Sequence, residues 1–257
     1  MGWLSGWARR IKMTVDHLDI SAPLSNFPIL IYLSASSGRN GDDVTCVFNE
    51  VGANKFKIPV TTSDGQAQCY VEIEKWDNAN KKASLWVKVP NITSDADTDL
   101  YLYYDNTHAD NTTYVGDTNS IPAENVWDAN FKMVQHLADG ATSAATYDST
   151  SNNKDGSKEA AGHPAQTTSG KIANAQDFDG ADDFVDCSID FGSVYTISAW
   201  VKVKTGATQT SVIGGDSTAK YAGNIIWAAS NRYLAGCKHA DGNGRAGRGT
   251  HENENRR

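Results

Sequence analysis

The 257-residue sequence contains no run approaching the roughly 18–20 apolar residues of a membrane-spanning helix, so no membrane insertion is expected. Positive charge is in deficit. Lys and Arg number 23 against 31 Asp and Glu, a net charge of −8. A chain without a basic footprint is not expected to bind nucleic acid. Cysteine is scarce: Cys46, Cys69, Cys187 and Cys237 form no C-x-x-C, which argues against a zinc cluster. Cys46 and Cys69 sit in strand-like runs. A cross-strand pair is one reading of them, and two small buried thiols is the other. The six histidines, His17, His108, His136, His163, His239 and His251, have no metal spacing and no Ser or Cys partner motif. His136 reads as a structural residue. The first ten residues lack an apolar segment behind a basic end, so they do not have the build of a secretory signal.

Helical periodicity is nearly absent too. Short β-rich runs alternate with Gly-, Asn- and Asp-rich turns, which is the pattern of an all-β protein built from antiparallel sandwiches. Strands are expected at Trp7 to Val15, Phe27 to Leu33, Val44 to Phe48, Gln68 to Trp76, Ser84 to Val89 and Leu100 to Tyr104. Phe27 to Leu33 is apolar on both faces and reads as central, with Pro28 at its start. Gln68 to Trp76 alternates, with Cys69, Val71 and Ile73 inward and Tyr70, Glu72 and Glu74 outward. Pro90 is expected to end the strand that it follows.

Polar residues 105–124 mark a boundary. The expected organisation is a first sandwich at 1–115, a linker at 116–125, a second and incomplete sandwich at 126–235, and a disordered tail at 236–257. That tail lacks Val, Ile, Leu and aromatic residues and cannot offset its ordering entropy. Its character fits a truncated or frameshifted end. In the second unit, Tyr195 to Lys204 alternates as a strand, and Asp177 to Val185 is an acidic, Gly-containing turn.

Several residues could carry chemistry. Glu72 and Glu74 share a strand face roughly 6.5–7 Å apart, near the about 5–5.5 Å of a retaining glycosidase pair. With Asp77 they form the enzyme alternative. Alternating Glu on a solvent-facing strand is the plainer reading. Trp76, Trp127, Tyr147 and Trp227 are the aromatic side chains expected to stack on sugar rings. Asp179, Asp182 and Asp183 could give oxygens to Ca²⁺, against a plain turn function for the same residues.

Two stretches carry a family resemblance. Trp7-Ala8-Arg9-Arg10-Ile11, Asn26-Phe27-Pro28-Ile29, Leu85-Trp86-Val87-Lys88-Val89-Pro90 and Leu100-Tyr101-Leu102-Tyr103-Tyr104-Asp105-Asn106 resemble a prokaryotic and viral domain of unknown function over residues 1–115. Val126-Trp127-Asp128, His136-Leu137, Gly170-Lys171-Ile172, Phe178-Asp179-Gly180 and Thr196 to Lys202 resemble the N-terminal half of a laminin-G-like, concanavalin A-like jelly roll. The resemblance implies a non-catalytic recognition or adhesion module with carbohydrate as ligand and Ca²⁺ as the cofactor to test. It implies a cell surface or phage virion as its place. A glycoside hydrolase and a ligand-free spacer are the alternatives. The strands missing from the second sandwich would leave open sheet edges that invite self-association.

Overall fold

The computed structural model describes residues 2–140, 143–158, 163–189 and 195–202, and the backbone of 210–215, 223–229 and 232–235. The chain divides into two compact units, 1–193 and 194–257.

The first unit is built on a sandwich of two four-stranded sheets. Its strands are β1 (Arg10–Val15), β2 (Leu24–Leu33), β3 (Val60–Thr61), β4 (Gln68–Cys69), β5 (Val71–Asp77), β6 (Lys82–Ile92), β7 (Thr98–Tyr103) and β8 (Val115–Asp117). One sheet runs β1-β7-β3-β4 and the other β2-β6-β5-β8. Between them lies one core. Val60, Leu100 and Leu102 enter from the first sheet, and Val71, Ile73, Leu85, Val87 and Val89 from the second. Burying such side chains stabilises by about 1.5–3 kcal/mol each. The all-β reading holds: among the described residues the α-helices are two short ones, α1 (Cys46–Val51) and α2 (Ile121–Glu124). No helix among them is long and apolar enough to cross a membrane.

Three local expectations are corrected. Val44 to Phe48 does not extend as a strand. Val47, Phe48 and Val51 are buried together, the spacing of one helical face, while Cys46 is exposed. Asp43 accepts the Thr45 N–H at 2.9 Å just ahead of this turn. The apolar strand β2 is an edge, not the centre, and among the described residues pairs with β6 alone. Pro28 therefore stands within it, opposite Lys88, since an edge strand tolerates a missing N–H. Strand β6 likewise runs through Pro90 to Ile92.

Residues 116–125, expected as a linker, belong to the fold. β8 pairs in parallel with β5, Glu72 lying opposite Gly116. α2 follows at once and delivers Trp127 to the outer face of the same sheet, the Trp127 N–H bonding the Glu124 carbonyl. Beyond it lie two small ladders, β9 (Ala145–Thr146) with β10 (Gly156–Ser157) and β11 (Ala165–Thr167) with β12 (Ala175–Asp177). The Ser84 hydroxyl on the outer face of β6 donates to the Ile172 carbonyl at 3.3 Å.

One end of the outer face of the other sheet is covered by the N-terminal residues, while Lys12 and Thr14 further along β1 stay exposed. The Arg10 guanidinium lies 4.2 Å from the Trp3 ring and 3.9 Å from Tyr101, with Nη1 bonding the Gly2 carbonyl and the Tyr103 hydroxyl. The Tyr103 hydroxyl in turn donates a hydrogen bond to the Gly65 carbonyl at 2.8 Å.

In the second unit β13 (Thr210–Gly215), β14 (Gly223–Ala229) and β15 (Arg232–Ala235) form an antiparallel sheet. Tyr195 to Lys202 forms no strand, contrary to its alternation. Alternation says which side chains would share a face and does not by itself make a ladder. The tail at 236–257 and Cys237 lie outside the described residues. Cys46, Cys69 and Cys187 are free thiols. Burial pushes the Cys69 thiol up to about 12, so it stays protonated.

Candidate functional site: a buried Glu–His–Glu group beneath an aromatic cleft

Strand alternation places Glu72 and Glu74 on the outer face of β5, as expected, but that face is covered. Glu72 is fully buried. Thr118, following β8, donates to its Oε1 at 2.7 Å, and the Ser149 hydroxyl does so at 2.7 Å. His136 Nε2 lies 3.1 Å from the same oxygen. The Trp127 indole donates to Oε2 at 2.8 Å. Three donors converge on Oε1 and one on Oε2, so both oxygens of the buried carboxylate are hydrogen-bonded.

His136 also faces the second acid. Its Nδ1 lies 3.4 Å from Glu74 Oε2, which accepts the Trp86 indole N–H at 2.7 Å. Both ring nitrogens thus point at carboxylates, an arrangement that the doubly protonated imidazolium satisfies. Burial works against that charge, but the hydrogen bond and the charge of Glu72, then Glu74 and Asp139, outweigh it and raise the His136 pKa. Burial likewise works against ionised Glu72. The His136 bond and charge, with Ser149 and Thr118, prevail and hold it below its ordinary value. For Glu74 burial wins, and its pKa is raised.

The Ser149 hydroxyl is aimed by a buried loop. Asp148 Oδ1 accepts the N–H groups of Val134 and Thr150, and Oδ2 accepts the Thr150 hydroxyl and the Lys154 N–H. Four donors leave it no free capacity, so Asp148 organises a turn.

Above His136 opens a cleft of about 270 Å³. Trp76 and Tyr147 give it aromatic walls, and Glu74, Asp117, Asp139 and Lys55 give it polar groups. Trp76 is fixed: its indole donates to the Gly52 carbonyl at 2.9 Å, and its ring packs 4.7 Å from Phe48. Tyr147 is 39% exposed and presents its ring to solvent. Asp117 pairs with Lys55 at 2.7 Å. Asp139 is half-buried, and that burial raises its pKa despite the N–H of Tyr147.

The aromatic set is therefore split. Trp76 and Tyr147 meet at one cleft. Trp127 is only 7% exposed and packs against Trp86 and Phe131 at 5.2 and 5.1 Å, so it offers no ring face to a sugar. Its indole N–H needs a buried acceptor, and Glu72 provides it. Trp227 falls on β14, and its side chain lies outside the described residues. Nor do the acids of the enzyme alternative form an open pair. Glu72 is sealed, Glu74 borders the cleft, and Asp77 caps the β5–β6 turn by accepting the N–H and Nδ2 of Asn80. Asp179, Asp182 and Asp183 do come together, with three ligand atoms within 4.8 Å. Asp183 accepts the Asp179 N–H and Asp179 the Ala181 N–H, around Gly180 at φ 84°. A full Ca²⁺ shell of six to eight oxygens would draw on both oxygens of these carboxylates or on carbonyls and water.

Residues 54–200, more than half of the chain, match the domain of unknown function DUF2341. The chain belongs to this family. The DUF2341 match starts well inside the first sandwich and runs across the expected linker at 116–125. It takes in Glu72, Glu74, Trp127, His136, Tyr147 and Ser149 together, so the group and its cleft lie within the family domain. No curated protein and no solved structure matches the chain.

Proposed function

We propose that this DUF2341 chain is a non-catalytic recognition module whose cleft between Trp76 and Tyr147 binds carbohydrate. The single observation that carries the reading is this pairing of aromatic walls with carboxylates on a fixed floor. Sugar recognition asks for that combination: an apolar ring face set against hydroxyl acceptors. The rigid floor favours binding over catalysis. A glycosidase of the retaining kind works with two reachable carboxyls, and the sealing of Glu72 leaves one of the expected pair at the cleft. The laminin-G-like likeness of the second half, with its implied cell-surface or virion setting and Ca²⁺, belongs to the same reading.

The test is a broad glycan array probed with the full chain and with Tyr147→Ala. Because Tyr147 is partly exposed, this variant keeps its melting temperature. Loss of a stacked ring weakens binding by about tenfold. Flat signals across the array for the intact chain favour the spacer reading. Release of reducing ends from any bound glycan restores the hydrolase.

A further inference from the structure

We propose that the cleft selects glycans carrying a free, protonated amine, of the glucosamine type, over neutral sugars; this rests on the carbohydrate reading above. Three features carry it. First, Glu74 is unevenly used. Its side chain is 3% exposed, and Oε2 takes both the Trp86 indole and His136 Nδ1. Oε1 receives no hydrogen bond among the described residues, although Glu74 borders the cleft. Oε1 is not sealed from solvent, so a ligand donor in the cleft would replace water at that oxygen.

Second, the two bases that line the cleft are already paired. Lys55 pairs with Asp117 at 2.7 Å, and His136 sits between Glu72 and Glu74 at 3.1 and 3.4 Å. Of the residues lining the cleft, three are acids, Glu74, Asp117 and Asp139, and two are bases, Lys55 and His136, so the lining carries one more acid than base, with Lys75 and Lys158 acting on Glu74 and Asp139 from outside it. Third, the acids lie beside the aromatic walls. A pyranose ring resting its apolar face on Tyr147 carries its amine edge-on, towards Glu74 and Asp139. An ammonium there gains a charge-assisted hydrogen bond to Oε1, which a neutral hydroxyl in its place makes only weakly. Burial raises the pKa of Glu74 against His136 and Lys75, and that of Asp139 against Lys158 and His136, and an ammonium bound beside them would lower both.

The experiment titrates the full chain with glucosamine oligosaccharides, their N-acetylated counterparts, neutral β-glucan oligosaccharides and an oligolysine peptide. The glucosamine series binds at least about tenfold tighter than the N-acetylated or neutral series at pH 6, and added salt weakens it. Glu74→Gln and Asp139→Asn, each checked for an unchanged circular dichroism spectrum, abolish the preference without abolishing weak neutral-sugar binding. Equal or tighter binding of the neutral or N-acetylated sugars overturns the amine selectivity and leaves the carbohydrate reading standing. Preference for oligolysine over every sugar overturns both, as does no binding at all. Should Glu74→Gln unfold the chain, Asp139→Asn alone decides.

Discussion

His136 carries the strongest electrostatic commitment among the described residues. Two carboxylates and one imidazole share a site from which water is nearly excluded, so the removal of one partner strands the others. His136→Gln is expected to cost on the order of 3 kcal/mol at pH 6, measured by urea unfolding. The pH dependence has a definite sign. The raised His136 pKa means that its contribution is full below its ordinary 6.5 and is lost as pH rises through the folded value. The lowered Glu72 pKa means that its contribution is present above its ordinary 4.5 and is lost as pH falls. Glu74, raised, works in the opposite sense to Glu72, its share declining upward from 4.5. Melting scans from pH 5 to 9 should therefore show stability falling above about 6.5 in the wild type. In His136→Gln that alkaline fall flattens. An unchanged slope in the variant would show that His136 is neutral when folded.

At the scale of elements, the outer faces of the two sheets are covered differently, one by later chain and one, at one end, by the N-terminal residues. The second cover turns on Gly65. Its φ of 76° is left-handed, and a Cβ there would stand 2.2 Å from the Gly2 carbonyl. Gly65→Ala thus meets both backbone strain and a collision with main chain, and is expected to free the first residues and lower stability by about 1–3 kcal/mol. Faster tryptic cleavage after Arg9 and Arg10 would report the release. Much of the element order was legible in the sequence, because period-two alternation follows directly from burial on one face. Cys69, Val71 and Ile73 read correctly for that reason. Legibility stopped where the second face mattered. Alternation marks Glu72 as outward, which it is, but says nothing of what lies over it. His136 and Ser149 sit 64 and 77 positions away from Glu72, and no local pattern announces such partners. β2 misled for the related reason that two apolar faces suit a central strand and a half-covered edge alike.

On the scale of the whole molecule, the first sandwich is not self-sufficient. Glu72, Glu74, Ser84 and Trp86 lie on its outer face and obtain their cover from residues beyond 117. A fragment comprising residues 1–125 keeps the inner core but exposes that face. It is expected to unfold at lower urea than a fragment comprising 1–189 and to bind a hydrophobic dye. Equal midpoints for the two fragments would restore 116–125 as a true boundary. Position 116–125 is, on this view, a poor place to cut or to exchange the chain. The same geometry sets a timetable. During synthesis, β5 leaves the ribosome before any of its lid exists, and Ser149 follows Glu72 by 77 residues. At typical elongation rates the two acids wait roughly 4–15 s for their last partner. During that interval the carboxylates are hydrated and keep a half-built sheet soluble, and only when His136 and Ser149 arrive do the same charges become the seal.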